Sequence, residues 1–242
     1  NGKSSTVSQI ASLLNAAGRN AIACGNLGVP FASVVDRLTS EAVAVVEVSS
    51  FQLLRCETFR PRIGVLLNVG TNHLDRHVDR GAYLAAKLRL FQRQTPEDWA
   101  VLNGADERIV AESGALRARR VWFGDNRDNP SEYALSAATR SALSANAQAV
   151  LQTARIVGLP DPFSWQVLRE FRGLPHRLEH VRTWQGIRFV NDSKSTTPDS
   201  LRFALSRTRG DMVVILGGRD KGLDFASLAG PLAEKHVKGV VL

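Results

Sequence analysis

Apolar residues along the chain alternate between helical and strand-like patterns. Residues 4–17 have apolar side chains at helical spacing, and Gly18 after them is typical of a helix end. The runs 42–48 and 63–69 are short, apolar and β-branched, which predicts strands covered on both faces. Further strands are predicted at 99–103 and 120–123, and further helices at 83–94, 107–112 and 144–157. This alternation predicts an α/β fold with a mostly parallel sheet and helices on both faces.

The pattern restarts near residue 173, after a polar segment. Strands are predicted at 187–190, 212–216 and 237–242, and helices at 198–205 and 223–235. We therefore expect a domain of residues 1–172 and a second unit, 173–242, that stops inside a strand. Residues 126–145, a polar turn followed by an Ala/Ser-rich stretch, follow no clear pattern.

Composition excludes several classes of protein. The chain has 242 residues, of which 44% are hydrophobic and 22% charged, so disorder and a coiled-coil rod are excluded. No apolar run approaches the length of a membrane helix, and no signal peptide is visible. Cys24 and Cys56 are expected as free thiols rather than as a disulfide, which suits the cytoplasm. Because the only methionine is Met212, we expect a piece of a longer protein.

The chain is basic, with 31 Lys and Arg against 23 Asp and Glu and a net charge of +8. Such a charge is compatible with nucleic acid or with anionic small molecules. However, the basic residues are scattered among acidic ones, and no run of Lys and Arg exceeds two residues. We therefore expect an ordinary solvated surface or a site for nucleotides and anionic metabolites, and neither nucleic acid nor membrane as a partner.

The chain begins with Asn1-Gly2-Lys3-Ser4-Ser5 and continues directly into a predicted helix. This is the second half of the phosphate-binding loop G-x-x-x-x-G-K-[ST]. In such a loop Lys3 reaches the β- and γ-phosphates, the Ser4 hydroxyl binds Mg²⁺, and the helix N-terminus supplies amides. The alternative interpretation is a terminal tripeptide without function.

Three further residues are candidates for chemistry in the first domain. Glu47 ends the first apolar strand, where doubly wound sheets bind ligands, and is a candidate Mg²⁺ ligand or a paired structural acid. His73 follows the second apolar strand and is a candidate metal ligand. Lys87 lies in a helix among apolar neighbours, a pattern typical of a lysine that extends its ammonium to the surface.

Two loops of the second unit combine acidic and basic residues. Residues 191–196 and 216–222 each follow a predicted strand, and each contains Asp and Lys. Successive βα units place such loops along one edge of a sheet, which favours a binding site. Ordinary turn chemistry is the alternative.

Taken in order, these motifs resemble those of the Mur ligase superfamily. The resemblance covers nearly the whole chain except residues 126–145. It is carried by nine segments: 1–4, 25–30, 47–53, 68–77, 83–87, 102–106, 173–177, 191–196 and 216–225.

The resemblance implies a P-loop-type, mostly parallel sheet followed by part of a Rossmann-like α/β domain. It implies ATP-dependent amide-bond formation through an acyl phosphate. The segments are most similar to the branch that adds glutamate to UDP-N-acetylmuramoyl-L-alanine during peptidoglycan synthesis, and they imply two Mg²⁺ ions and a monomer. A UDP-binding domain would then precede Asn1, and the end of the glutamate-binding domain would follow Leu242. The remaining alternatives are another Mur or folylpolyglutamate-type ligase and a P-loop nucleotide-binding protein without ligase activity.

The resemblance also assigns roles to individual residues. Four of them are catalytic: Lys87, which the family carbamylates, His73, Glu47 and Lys194. The metal ligands are Ser4, Glu47, His73 and carbamylated Lys87. ATP would be bound by Asn1, Gly2, Lys3, Ser4, Ser5, Arg177 and Asp192. The other substrates would be bound by Asn26, Ser49, Thr196 and Lys221.

Two departures from the family pattern affect the nucleotide site. Ser5 replaces the usual threonine, which is a mild change. The family usually has a His-Asn pair shortly before the helix start that corresponds to Asn146-Ala147, and its asparagine reads adenine. The residues before Asn146 are Ala142-Leu143-Ser144-Ala145, so the pair is absent.

Overall fold

The computed structural model describes residues 1–69, 79–125, 129–218, 224–234 and 236–242. The chain divides into two compact units, Asn1–Arg172 and Gly173–Leu242. Both combine parallel strands with helices, so the α/β prediction is confirmed. Within the described ranges, no helix is long and apolar enough to cross a membrane.

The first unit alternates strands and helices, as its apolar pattern predicts. Its strands are β1 (Ala21–Gly25), β2 (Val43–Glu47), β3 (Ile63–Leu66), β4 (Trp99–Asn103) and β5 (Arg119–Phe123). Its helices are α1 (Lys3–Ala16), α2 (Ser50–Leu54), α3 (Arg80–Leu88), α4 (Glu107–Glu112), α5 (Ala137–Ala142), α6 (Ala145–Ile156) and α7 (Asp161–Glu170). Short 3₁₀ turns occur at Phe31–Ser33, Val35–Arg37, Arg89–Phe91, Ser113–Ala115 and Ser131–Tyr133.

All strand pairs of the first unit are parallel. In the described residues they form two sheets, β1-β2 and β3-β4-β5, rather than one continuous sheet. The register places Gly25 opposite Glu47 and Leu66 opposite Leu102. Because parallel strands end at the same edge, the residues that follow each sheet's strands share one edge.

Helices bury the apolar positions of these strands. Helix α1 packs on β1 and β2, while α6 packs on β4, β5 and α1. The central strand β4 is covered on both faces, since Ala100, Val101 and Leu102 are fully buried. Each large apolar side chain buried in this way contributes about 1.5–3 kcal/mol.

The second unit is less covered. Strands β6 (Glu179–Trp184) and β7 (Ile187–Asn191) form an antiparallel hairpin, and β8 (Met212–Ile215) pairs in parallel with β9 (Val237–Val241). Its helices are α8 (Pro198–Arg207) and α9 (Ala229–Leu232), the latter preceded by a 3₁₀ turn at Ala226–Leu228. Several large apolar side chains of this unit are exposed, among them Val213 at 62% and Ile215 at 80%.

Several predicted elements differ from those observed. The predicted helix 223–235 is wrong in extent, because only Ala229–Leu232 is α-helical among its described residues. Gly230 is a weak helix former, and Pro231 has no amide hydrogen and fits only a first helical turn. The predicted helix 83–94 is instead α3 followed by a 3₁₀ turn. The sequence patterns missed five elements altogether: β1, β6, α2, α5 and α7.

Candidate functional site

Polar residues gather where strand β3 of the first unit ends. The Asn1 backbone nitrogen donates to Asn68 Oδ1 at 2.8 Å, and Asn68 Nδ2 donates to the Asn1 carbonyl at 3.0 Å. Lys87 Nζ donates to the backbone carbonyl of Asn68 at 3.2 Å. Asn68 thus connects the start of the chain to Lys87, two of the residues that the sequence assigns to one site.

The first turn of α1 has the geometry of an anion site. Gly2 is left-handed (φ 85°), and a Cβ on it would lie 2.3 Å from Asn146 Nδ2, so only glycine fits. Lys3, Ser4 and Ser5 follow as the first turn of a 14-residue helix. No side chain of the described residues caps this end, which leaves its amides and dipole for a negatively charged ligand.

Glu47 is buried with one carboxylate oxygen unused. The side chain is 4% exposed, and Oε1 accepts a hydrogen bond from Asn26 Nδ2 at 3.0 Å. Oε2 is buried and has no hydrogen-bond partner in the described part of the chain. A buried, incompletely paired carboxylate is costly unless a cation compensates it, and carboxylate oxygen is a preferred Mg²⁺ ligand. Glu47 therefore fits the predicted metal-binding role.

The backbone holds Asn26 beside Glu47. The Asn26 amide donates to the Glu47 carbonyl at 2.8 Å. Gly25 has a φ of 100°, and a Cβ on it would lie 2.3 Å from the same carbonyl oxygen, so the close approach of β1 to β2 requires glycine. The structure thus brings Asn26 and Glu47 together, with Asn26 orienting the carboxylate.

The ammonium of Lys87 is turned toward the backbone of Asn68. The ammonium lies 4.7 Å from the centre of the Tyr83 ring and hydrogen-bonds to Asn68, so the interpretation as a lysine that reaches into solvent is wrong. Burial lowers the pKa of Lys87 from 10.5 to about 8, with a further contribution from the positive charge of Lys3 and an opposing one from Asp106. At this pKa about one amine in ten is neutral at pH 7.

Two other residues that the sequence predicts for the site of the first unit are Ser49, which has structural partners, and His73, which lies outside the described residues. Ser49 caps α2 in a capping box, accepting from the Gln52 amide at 3.3 Å while Gln52 Oε1 accepts from the Ser49 amide at 2.8 Å. Its role toward substrate stays a prediction. His73 falls outside the described residues, as does Lys221 of the second unit. The described residues, which exclude His73, contain no cluster of three metal-ligating acids, histidines or cysteines.

In the second unit, the segment around Arg177 is tied to the loop after β7. Asp192 Oδ1 accepts from the Leu178 amide at 3.0 Å, and the Lys194 amide donates to the His176 carbonyl at 3.1 Å. His176 and Leu178 have φ values of 63° and 46°. Such left-handed non-glycine residues are strained and are common at functional sites.

These contacts bring three of the predicted ATP-side residues together. Arg177 Nε is buried without a hydrogen-bond partner among the described residues. Asp192 Oδ2 accepts from Ser195 Oγ at 2.5 Å, while Lys194 and Thr196 are exposed. An unsatisfied guanidinium nitrogen in one of these segments and an exposed lysine in the other suit an anionic ligand.

The sequence interpretation gave no role to two asparagines at the first cluster. Asn68 directly follows an apolar strand, and this position is the signal that identifies it. Asn146 lies within the first turn of α6, against Gly2, although the sequence pattern showed only that a nearby His-Asn pair is absent. Both depend on contacts between distant segments.

The fold and these contacts define an α/β protein whose polar side chains and free helix amides gather where its parallel strands end. The chain belongs to the Mur ligase family, because the family described as the Mur ligase middle domain matches residues 1–156. This match includes Asn1–Ser4, Asn26, Glu47, Asn68 and Lys87.

Curated relatives agree with this membership. The chain is 43% identical to the UDP-N-acetylmuramoylalanine–D-glutamate ligase of Oleidesulfovibrio alaskensis, with 100% of the chain and 54% of the relative covered. It is 40% identical to the ligase of the same name from Desulfovibrio desulfuricans, with the same coverage. The chain therefore spans about half the length of the curated relatives it matches.

Solved structures share the fold. The MurF ligase of Thermotoga maritima, solved in complex with ADP, superimposes with a TM-score of 0.74 over 99% of this chain and 64% of its own, at 19% identity. MurF of Acinetobacter baumannii gives a TM-score of 0.71 over 89% of this chain and 54% of its own, at 16% identity.

Proposed function

We propose that this chain is part of a cytoplasmic, monomeric, ATP-dependent ligase that joins D-glutamate to UDP-N-acetylmuramoyl-L-alanine. The names of its relatives support this reaction. The observation that carries the proposal is the connection of the Asn1–Ser4 segment to Lys87 through Asn68. In this scheme residues 1–172 bind ATP, and residues 173–242 are part of a glutamate-binding domain.

The reaction proceeds in two steps. The carboxylate of UDP-N-acetylmuramoyl-L-alanine attacks the γ-phosphorus of ATP, the bond to the bridging oxygen breaks, and ADP leaves. The amine of glutamate then attacks the acyl carbon, and the tetrahedral intermediate loses phosphate and a proton as the C–N bond remains. Both steps bring anions together, so positive groups at the reacting oxygens lower the barrier.

Residues of the first unit supply these groups. We assign the β- and γ-phosphates to Lys3 and to the amides at the start of α1, with Asn1, Gly2 and Ser5 completing the loop. Mg²⁺, when bound, neutralises phosphate charge and polarises the attacked phosphorus. Ser4 and the unpaired oxygen of Glu47 would hold one ion, and His73 would hold a second.

Lys87 is assigned as the carbamylated lysine. Its neutral amine attacks the carbon of CO₂, a new N–C bond forms, and the nitrogen loses a proton to give a carbamate. This changes the charge at Lys87 from positive to negative, which replaces repulsion by Lys3 with attraction and adds a metal ligand. The position of Nζ beside Asn68 supports this assignment, and the lowered pKa of Lys87 makes the reactive amine available.

The remaining substrate contacts are assigned from the resemblance to the family. Asn26 and Ser49 are assigned to the nucleotide-sugar substrate. In the second unit, Arg177, Asp192 and Lys194 are assigned to ATP, and Thr196 and Lys221 to the carboxylates of glutamate. A lysine ammonium and a hydroxyl are suitable partners for carboxylate and phosphate oxygens.

The test uses the full-length protein that contains this chain. Phosphate release is measured with ATP, Mg²⁺ and UDP-N-acetylmuramoyl-L-alanine, together with D-glutamate, L-glutamate or another amino acid in turn. We expect release only with D-glutamate. Release with a different amino acid would identify a sibling ligase, and ATP hydrolysis independent of any acceptor would identify a nucleotide-binding protein without ligase activity.

A further inference from the structure

Three side chains at the junction of β4 and α4 hold the segment that follows β3. Asn103 Nδ2 donates to the Leu67 carbonyl at 2.9 Å. The Val69 amide donates to Asp106 Oδ2 at 3.2 Å, and Arg108 Nη2 donates to the Val69 carbonyl at 2.7 Å. A single acid–base pair therefore binds both backbone polar groups of Val69.

The pair itself has a fixed geometry. Arg108 Nε lies 3.1 Å from Asp106 Oδ1, and Arg108 Nη2 lies 3.3 Å from Oδ2, so the contact is bidentate. Asp106 also accepts from the Arg108 amide at 3.3 Å as the N-cap of α4. The Asp106 side chain is only 11% exposed, whereas that of Arg108 is 49% exposed. The planar fork of arginine restricts both partners, so Val69 is held in one place.

Asn68 lies between the two residues that this junction holds. Its side chain makes both hydrogen bonds to Asn1, and its carbonyl accepts from Lys87. A displacement of Leu67 or Val69 therefore moves Asn68. This changes the distance between the start of α1 and Lys87. A half-exposed ion pair contributes little to folding free energy by itself. Its effect is therefore expected in the distance between the start of α1 and Lys87 rather than in global stability.

We propose that Asp106 and Arg108 are positioning residues for the ligation reaction. Both act through Val69 and Asn68, and they set the distance between the phosphate-binding residues Asn1–Lys3 and Lys87. The negative charge of Asp106 also acts on Lys87 directly. The inference rests on the proposed function for its catalytic consequence, and on the phosphate-loop geometry for its effect on nucleotide binding.

The test replaces each partner conservatively in the full-length protein. In Asp106→Asn, the single amide oxygen can still cap α4 but cannot also accept from Val69 and pair with Arg108. In Arg108→Lys, the charge remains but the fork is lost. The matched controls are Glu107→Gln and Arg117→Lys, which make the same chemical changes at neighbouring exposed positions.

The measurements are kcat, KM for ATP and the Kd of Mg-ADP, made well below the unfolding temperature of each variant. We expect kcat to fall about tenfold and Mg-ADP to bind several times more weakly in both variants, as for loss of a charged hydrogen bond. The controls should stay within twofold of the wild type. The double variant Asn68→Ala with Arg108→Lys should lose little beyond Asn68→Ala, because both act through one link and neither changes a charge.

The outcomes separate this proposal from the proposed function. If folded Asp106→Asn and Arg108→Lys match the wild type in kcat and Mg-ADP affinity, the pair is only structural and the inference is overturned. Additive losses in the double variant overturn it as well. If the wild type binds Mg-ADP but ligates no amino acid, the proposed function fails while the affinity measurement still decides the positioning role. A wild type that does not bind Mg-ADP overturns both.

Discussion

The two units of this chain place polar residues after apolar strands, but they surround them differently. In the first unit Glu47 is buried with an unpaired oxygen, and Lys87 has a pKa lowered by burial. In the second unit Asp192 has hydrogen bonds to both oxygens, and Lys194 is exposed.

This contrast shows how burial changes the chemistry available to the same residue types. A carboxylate or an ammonium removed from water is destabilised until a ligand compensates it, so its affinity and pKa respond to binding. A solvated lysine keeps its charge at little cost and contributes mainly when a substrate comes to it. The first unit is therefore the region in which single polar substitutions should change the chemistry most.

The largest difference in ligation rate is expected between a substitution of the buried lysine and a substitution of an exposed one. Lys87→Ala in the full-length protein should reduce ligation about a thousandfold or more, because it removes a group that stabilises developing charge together with its bound metal. Short carboxylates such as formate should restore part of the rate by replacing the carbamate. The measurement is glutamate-dependent phosphate release, with and without added formate.

Lys238→Ala is the matched control, since this half-exposed lysine of the second unit pairs with Asp211 at 3.5 Å. Its ligation rate should stay near that of the wild type. A Lys87→Ala enzyme that keeps more than a tenth of the wild-type rate would contradict the role assigned to Lys87.

The next largest difference is expected in the free energy of unfolding, between substitutions in apolar strands of the two units. Leu102→Ala removes a fully buried side chain and should lower the free energy of unfolding by about 2–5 kcal/mol. Ile215→Ala alters a side chain that is 80% exposed and should cost less than about 0.5 kcal/mol. Urea denaturation of the 242-residue chain measures both, and equal losses would show that the second unit is as well covered as the first.

A smaller difference in the free energy of unfolding is expected between substitutions of the two carboxylates, Glu47 and Asp192. Glu47→Gln should leave the free energy of unfolding unchanged or raise it by about 1 kcal/mol, because it removes a buried, partly unpaired charge and keeps an acceptor for Asn26. Asp192→Asn should lower it by about 1 kcal/mol, because a neutral amide replaces a charged acceptor for Leu178 and Ser195.

Metal binding provides the control for this pair. Mg²⁺ should raise the Tm of the wild type beyond the effect of an ATP analogue alone. This Mg²⁺-dependent part should be largely lost in Glu47→Gln but kept in Asp192→Asn, because Asp192 is assigned to ATP and not to the metal. A full Mg²⁺-dependent shift in Glu47→Gln would remove Glu47 from the metal site.

A separate effect is on the pH dependence of amine reactivity. Because burial lowers the pKa of Lys87 to about 8, its neutral amine should appear as the pH rises through about 8 in the folded protein. The Lys87 pKa is lower in the folded than in the unfolded chain, so its contribution to folding becomes more favourable from about pH 8 up to the unfolded value of 10.5.

Mass spectrometry of acetylated peptides, followed against pH, measures the reactivity of Lys87. A midpoint near that of an unfolded peptide would show that Lys87 is not held in the buried position. The Lys87→Met variant should lose the additional stability gained between pH 8 and 10.5.

Local sequence patterns were sufficient for the long or strongly apolar elements. The observed strands β2, β4 and β5 and the helix α6 lie where apolar runs and helical spacing predict them. Strand β1 was missed because Ala-Ile-Ala-Cys-Gly is short and contains small residues, and it is specified by its pairing with β2. Strand β6 was missed because Glu-His-Val-Arg-Thr-Trp is mostly polar and does not alternate, and it is specified by its hairpin with β7.

The same distinction holds for the candidate site. Glu47 was predicted from its place at a strand end, and the structure adds that one of its oxygens has no partner within the described residues. Lys87 resembled a surface lysine in its own helix, and only its contact with Asn68 shows otherwise. The Asp106–Arg108 pair had no visible role, because its partner, Val69, is distant in the chain.

The amino-acid sequence by itself therefore determined the α/β alternation, the phosphate-loop segment and the residue types at the strand ends. These depend on local spacing, which hydrophobic burial and turn chemistry control directly. Only the tertiary structure decided which of these residues meet, which charges are buried and which backbone groups hold them. Such properties arise from contacts between segments far apart in the chain, because desolvation and hydrogen-bond geometry depend on everything that packs around a group.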